Sequence, residues 1–374
     1  MIIPVVLQVI LPVLLVFVLA RWMTDWLASS SWRLYFLDRP NERSLHTMPT
    51  PRMGGLAIIV SFYCGLLLSW IVDVVSNASE ALLWQRGIEE SSSMMFWILG
   101  TALLIGVVSF WNDRVGVLPV IRIIIHGLGA AVIVFIVGLK VDKMAIPFLG
   151  DISLGWIGMP LIILTIMWIT NLYNFMDGMD GFAAGMTLMG FGFIGFLSFL
   201  EGHRLLMFCS CLLAAAAAGF LVHNMPPARI FMGDTGSVFL GFMAAVLGLM
   251  GIDDGVFDVW TPVLIFSPFI VDATVTLLRR LWRGKKIWQA HRQHYYQRLV
   301  LVGWGHRKTV LLEYAFMLGC GISAVIYQQA SEAARVAILL GWAGIYGLLG
   351  YAVRTMEKRR EAAMPSSHGP LSGI

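Results

Sequence analysis

Long apolar runs separated by short polar connections constrain this chain more than any single motif. A helix crosses a bilayer with about 20 consecutive apolar residues, and about eleven stretches approach that length: 3–27, 53–74, 94–111, 120–139, 156–171, 181–200, 205–222, 237–251, 260–278, 309–329 and 335–353. Hydrocarbon offers backbone groups no partner, so each stretch must satisfy its own as a helix. Composition agrees: 58% of the 374 residues are hydrophobic and 13% are charged, against roughly 25% charged in a soluble domain. The expected fold is all-α, a polytopic membrane helix bundle of about eleven transmembrane helices. One integral membrane domain is expected over 1–355, with a disordered tail over 356–374 that is basic and then rich in Pro, Ser and Gly. The run at 237–251 is the shortest and the weakest of the set.

Basic residues set the expected orientation. Arg33, Arg39, Arg43, Arg52, Arg114, Arg122, Arg229, the basic run from Arg279 to Lys308 and the group from Arg354 to Arg360 fall on one set of connections. Arg86, Lys140, Lys143, Arg204 and Arg335 fall on the other. The first set is expected to face the cytoplasm, with the N-terminus outward and a bacterial inner membrane as the location. The first run lacks a basic n-region and a small-residue cleavage site, so it reads as a retained span. Of the outward connections, Ser76–Ser93 is polar enough for a short surface helix, and Lys140–Gly155 alternates apolar residues as a small hairpin would. Cys64, Cys209, Cys211 and Cys320 lie inside apolar runs and read as small core residues. No internal repeat of the kind common in transporters is present.

Five polar clusters fall on the basic side. Asn171, Asn174, Asp177 and Asp180 recur every third residue between two apolar runs. On a helix they share a face; if Gly178 and Gly181 break it, they sit on a turn at its end. Solvated capping aspartates are the plain alternative. Asp234, within Gly233-Asp234-Thr235-Gly236-Ser237, precedes another apolar run and reads as a helix start capped by Thr235 or Ser237. Asn112-Asp113-Arg114 ends a run, and an interfacial ion pair would explain it. Arg39, Arg43, His46 and Arg52 suit phosphate oxygens, and Gly54-Gly55 permits close backbone approach. A lipid-headgroup anchor is the rival reading, but it leaves three prolines in that loop unexplained. His291, Arg292, His294 and Arg298 face the same choice between a phosphate and anionic lipid; His291 and His294 lack a third ligand for zinc. Together, the aspartates at 113, 177, 180 and 234 with cations around them are the ingredients for magnesium and phosphate.

Asn171-x-x-Asn174-x-x-Asp177-Gly-x-Asp180-Gly, Phe231-Met-Gly-Asp234-Thr-Gly-Ser, Pro51-Arg-Met-Gly-Gly and His291-Arg-Gln-His294 together resemble the polyprenyl-phosphate N-acetylhexosamine-1-phosphate transferases. That superfamily includes phospho-N-acetylmuramoyl-pentapeptide transferase, and the resemblance spans about residues 35–300. It implies a catalytic membrane domain that moves a sugar-1-phosphate from a UDP-linked N-acetylated sugar to undecaprenyl phosphate. UMP is released, and Mg²⁺ is required, with Mn²⁺ as a substitute. It makes Asp234 the metal position. It makes Asp177, Asp180, Asn112 and Asp113 catalytic. Asn171, Asn174, His291, Arg292, His294 and Arg298 would bind the nucleotide sugar, and Arg52 with His46 the lipid phosphate.

Two departures from the family pattern carry information. The second cluster reads Asn112-Asp113 where the family has adjacent aspartates, so one carboxylate has become an amide that takes no proton. The fifth lacks consecutive histidines, which favours the branch that begins O-antigen, lipopolysaccharide or similar surface glycans. A CDP-alcohol phosphotransferase would need Arg within Asp180-Gly-Phe-Ala-Ala-Gly, where none stands. A flippase for an anionic lipid would place charges at mid-membrane, whereas these cluster at one edge. The expected partners are the nucleotide sugar, the polyprenyl phosphate and membrane lipid, without nucleic acid. A homodimer is compatible with the sequence.

Overall fold

A computed structural model of the chain describes residues 6–29, 36–40, 45–76, 88–286 and 291–363. Helices dominate: α1 (Leu11–Ser29), α2 (Gly54–Ser76), α3 (Ile88–Val115), α4 (Pro119–Phe135), α5 (Gly158–Met176), α6 (Phe182–Leu200), α7 (Arg204–Asn224) and α8 (Gly233–Asp253). Then come α9 (Trp260–Ile265), α10 (Ser267–Trp282), α11 (Tyr295–Leu299), α12 (Gly305–Gln329) and α13 (Glu332–Ala363). Nine helical segments among the described residues are long and apolar enough to cross a membrane. The chain is a multi-pass, all-α membrane bundle, as its apolar runs require.

The other two expected spans are helical but irregular. α4 has 17 residues, about 26 Å at 1.5 Å per residue, slightly short of the hydrocarbon core. The run at 260–278 is broken into α9 and α10. Pro268 falls at the start of α10, where its missing N–H interrupts the ladder. Tertiary packing overturns the ranking of 237–251. α8 is the bundle's central post, with 94% of its apolar window buried against α2, α3 and α5. A run rich in Gly and Ala carries little apolar bulk, yet small side chains let neighbouring helices close in around it.

The hairpin expected between Lys140 and Gly155 is present, as β3 (Lys143–Ile146) antiparallel to β4 (Gly150–Ser153). A second, minimal pair joins β1 (Leu37–Asp38) to β2 (Thr50–Pro51). Trp260 ties β3 down through Ala145 O at 2.8 Å, and Asp253, at the far end of α8, accepts from Lys140 N. The β3–β4 hairpin therefore lies a full helix, about 30 Å, from the start of α8 where Asp234 stands.

Helix α13 extends through Ala363, so 356–363 are helical where a disordered tail was expected. Glu357 explains the added turns, pairing with Arg298 Nε at 2.7 Å. Residues 364–374, most of Ser76–Ser93, Arg33 and Arg43 lie outside the described residues. The four cysteines are free, with Cys209 and Cys320 buried.

Candidate active site

The turn after α5 gathers the first group of polar residues. α5 carries Asn171 and Asn174 on its last turns and ends at Met176, with Asp177 at its C-cap. Asp180 follows in the turn and α6 begins at Phe182. Both readings of the three-residue spacing are thus realised, amides on the helix and carboxylates on the turn. An aromatic cluster fixes the turn from beneath: Phe182 packs on Phe269 and Tyr296 with ring centroids 4.8 and 4.7 Å away. Tyr296 is fully buried and donates from its hydroxyl to Phe175 O at 3.3 Å. A Cβ on Gly178 would stand 2.2 Å from that hydroxyl, so a side chain there would push the 291–299 loop off the turn.

The second group sits where α8 begins. Asp113, buried on α3, accepts hydrogen bonds from the backbone N–H of Asp234 at 3.0 Å and of Thr235 at 2.9 Å. It also accepts from Thr235 Oγ1 at 2.6 Å. A carboxylate at the positive end of a helix is favourable. The cap of α8 thus comes from another helix and not from Thr235 or Ser237; Ser237 Oγ instead donates back to Gly233 O. Gly54 N and Gly55 N bond to Phe231 O and Met232 O, and Phe231 N bonds to Pro51 O. A Cβ on Gly55 would meet Gly236 N at 2.1 Å, the close approach that the glycine pair anticipated.

Asp234 collects donors from three elements. Arg122 Nη1 pairs with it at 3.0 Å, Asn112 Nδ2 donates at 2.6 Å and Asn174 Nδ2 donates at 2.9 Å. Arg122 also donates to Asn174 Oδ1 at 3.1 Å, closing the network. A cavity of about 370 Å³ opens beside it, lined by Asp38, His46, Arg52, Asn174, Asp177, Asp180, Asp234, Gln297 and His306 among others. Asp180 accepts from Ala228 N at 3.0 Å and lies 3.3 Å from His306 Nδ1. His46 stacks edge-on against Phe231, and its buried Nε2 has no hydrogen-bond partner among the described residues.

Asp177 differs from its neighbours. No donor among the described residues reaches its carboxylate. Burial, and then the carboxylates of Asp234, Asp113, Asp180 and Asp38, hold its pKa well above the ordinary carboxylate range. Such a group takes a proton or a cation. The described residues hold no group of three or more His, Cys, Asp or Glu that would cage a metal unaided. Mg²⁺ does not need one, being commonly held by one or two carboxylates plus substrate phosphates. The donor set of Asp177 and Asp234 on one cavity fits that pattern.

Several sequence expectations land elsewhere. Asn112 and Asp113 stand behind Asp234 and do not line the cavity. Asn171 donates to Met167 O, one turn back on its own helix. None of His291, Arg292, His294 and Arg298 lines the cavity either. Asp272 on α10 accepts from Tyr295 N and Tyr296 N and contacts His294 Nδ1 at 3.2 Å, which turns His294 into the protein as the N-cap of α11. Burial, with His294 and Arg280 nearby, lowers His291 to about 4, so its imidazole is neutral at neutral pH in the free protein. Cavity or network residues that the sequence did not single out include Asp38, Arg122, Gln297 and His306. Arg122 did carry a signal, as a charge at the edge of an apolar run.

The structure is thus a membrane helix bundle with a carboxylate-lined cavity at one end of its central helix. Residues 95–252 match the model of Glycosyl transferase family 4. The chain is 34% identical over 298 residues to a Bacillus subtilis protein named "Probable undecaprenyl-phosphate N-acetylglucosaminyl 1-phosphate transferase", covering 79% of this chain and 78% of that one. It is 30% identical to the decaprenyl-phosphate N-acetylglucosaminephosphotransferase of Mycobacterium leprae, covering 84% and 83%. It is 29% identical to the phospho-N-acetylmuramoyl-pentapeptide-transferase of Methylacidiphilum infernorum, covering 74% and 78%. The chain belongs to the polyprenyl-phosphate N-acetylhexosamine-1-phosphate transferases of glycosyltransferase family 4.

Proposed function

We propose that the protein transfers an N-acetylhexosamine-1-phosphate from a UDP-sugar to undecaprenyl phosphate, releasing UMP, and so begins O-antigen or a related surface glycan. The observation that carries this reading is the pairing of Asp177 and Asp234 on one cavity at the end of a membrane-embedded helix. A water-soluble diphosphate and a lipid phosphate can meet only at such an edge. The basic connections argue for a cytoplasmic cavity, an outward N-terminus and the bacterial inner membrane.

The acceptor is a phosphate monoester with a second pKa near ~6, so it is largely ionised near neutrality and needs no strong base. Its oxygen attacks the β-phosphorus of the UDP-sugar. The bond from that phosphorus to the bridging oxygen breaks, and UMP leaves with the electron pair. Arg52 lines the cavity with its guanidinium held by Asp113 O at 2.6 Å, a fixed cation for the lipid phosphate. His46 lines the same cavity and offers a ring nitrogen, while His306 is held by Asp180 and Leu45 O. Arg122, Asn112 and Asn174 hold Asp234 in place. Asp177 and Asp234 would hold Mg²⁺, or Mn²⁺ in its place, which when bound neutralises charge on the diphosphate. Asn112 is a positioning donor to Asp234, and its amide is no handicap. A homodimer is compatible with this scheme and is not required by it.

The test is UMP release from UDP-N-acetylglucosamine by the full chain in detergent, with undecaprenyl phosphate and Mg²⁺. Release that needs all three components supports the reading. Absence of release across a panel of UDP-N-acetylhexosamines would contradict it, and movement of polyprenyl phosphate across a bilayer without UMP would favour a flippase.

A further inference from the structure

We infer that a second cavity, lined by Arg279, Arg283, Arg292, Arg298 and Arg360, binds a phosphate group, and that an anionic lipid headgroup supplies it. This cavity measures about 410 Å³ and shares no lining residue with the aspartate cavity. Arg279 stands on the last turn of α10 and Arg283 four residues on, at its C-cap, so the two lie on one side of the helix end. Arg360 reaches the same space from the end of α13.

Charge in this cavity is lopsided. Five arginines face two glutamates, Glu357 and Glu361. Glu357 is taken by Arg298, which it grips through both Nε and Nη2, while the Arg298 guanidinium lies 4.6 Å over the Tyr295 ring. No carboxylate among the described residues pairs with Arg279, Arg283 or Arg360. Several cations lining one cavity raise the local positive potential and favour an anion there. Planar guanidinium groups are also the side chains best matched to phosphate oxygens.

Two features favour a lipid over a soluble phosphate. Trp282, next to Arg283, is 93% exposed at the end of α10, and such tryptophans mark the membrane–water interface. Leu301 and Val302 give the same cavity an apolar wall, which suits the glycerol and upper chains of a lipid and offers nothing to a free phosphate ion. Basic pockets at helix ends recognise headgroups in this way.

The experiment uses the full chain in nanodiscs of phosphatidylcholine doped with phosphatidylglycerol, with native mass spectrometry counting the phosphatidylglycerol retained. Arg283 and Arg360 are exposed, so the Arg283→Gln/Arg360→Gln variant should keep its melting temperature. Retention should weaken about thirtyfold, each arginine near an anionic surface contributing about fivefold. Should the double variant melt early, Arg360→Gln alone is read instead, with about a fivefold loss expected. Equal retention by wild type and variant overturns the inference. Displacement of the lipid by millimolar inorganic phosphate overturns the lipid source and assigns the cavity to a soluble phosphate.

Discussion

The Asn112 amide donates to the Asp234 carboxylate at 2.6 Å, while its own carbonyl accepts from Val117 N at 2.7 Å. Both ends of the side chain are used, and the amide does both without taking up a proton. Asn112→Asp would set a third carboxylate against Asp234 and Asp113 and remove a donor. A hydrogen bond to a charged group is worth about 1.5–3 kcal/mol, so turnover should fall about tenfold or more. Steady-state UMP release measures this, and a rise in turnover would show that the amide is a handicap after all.

Asp113 acts through α8. Asp113→Asn keeps the shape but loses one acceptor of three converging donors and the charge that faces the helix start. Losing a helix cap costs about 1–2 kcal/mol. The variant should melt at lower temperature in detergent and lose activity in parallel. Lost activity with unchanged melting would instead give Asp113 a direct part in the chemistry.

Asp177 makes the metal-free protein sensitive to pH. Its folded pKa is raised, so the folded chain favours the protonated form. That contribution to stability is full below the unfolded value of ~4 and is lost as pH climbs through the raised folded value. In EDTA the protein should therefore melt lower at about pH 8 than at about pH 5, and Asp177→Asn should flatten the difference while abolishing activity. Melting curves at the two pH values, with and without chelator, check both parts.

Arg122 bridges Asp234 and Asn174. Arg122→Gln leaves Asp234 without its ion pair, and activity should drop about a hundredfold at a partly buried site. Arg122→Lys should recover only part, because a single ammonium cannot reproduce the fork that reaches both partners. Full rescue by lysine would mean that charge alone matters.

Much of this architecture was legible in the chain. Span positions follow from hydrocarbon's demand for self-satisfied backbone, which any apolar run declares. Asp177, Asp180 and Asp234 could be grouped because the two connections that carry them fell on one basic side. What escaped was direction. His291, His294, Arg292 and Arg298 share a loop with Gln297, yet only Gln297 lines the aspartate cavity. Asp272, on another helix, fixes that turn through two backbone N–H groups, and a contact across 23 residues leaves no local pattern. The central place of α8 was equally hidden, since mean hydropathy reports affinity for apolar surroundings and says nothing of small residues that let neighbours close in.

The central claim is that Asp177 and Asp234 share one divalent cation. Mn²⁺ titration of the full chain in detergent, followed by electron paramagnetic resonance, tests it without any substrate. One bound Mn²⁺ per chain, lost or greatly weakened in both Asp177→Asn and Asp234→Asn and displaced by Mg²⁺, is the result expected. Binding that survives both substitutions unchanged would contradict the account.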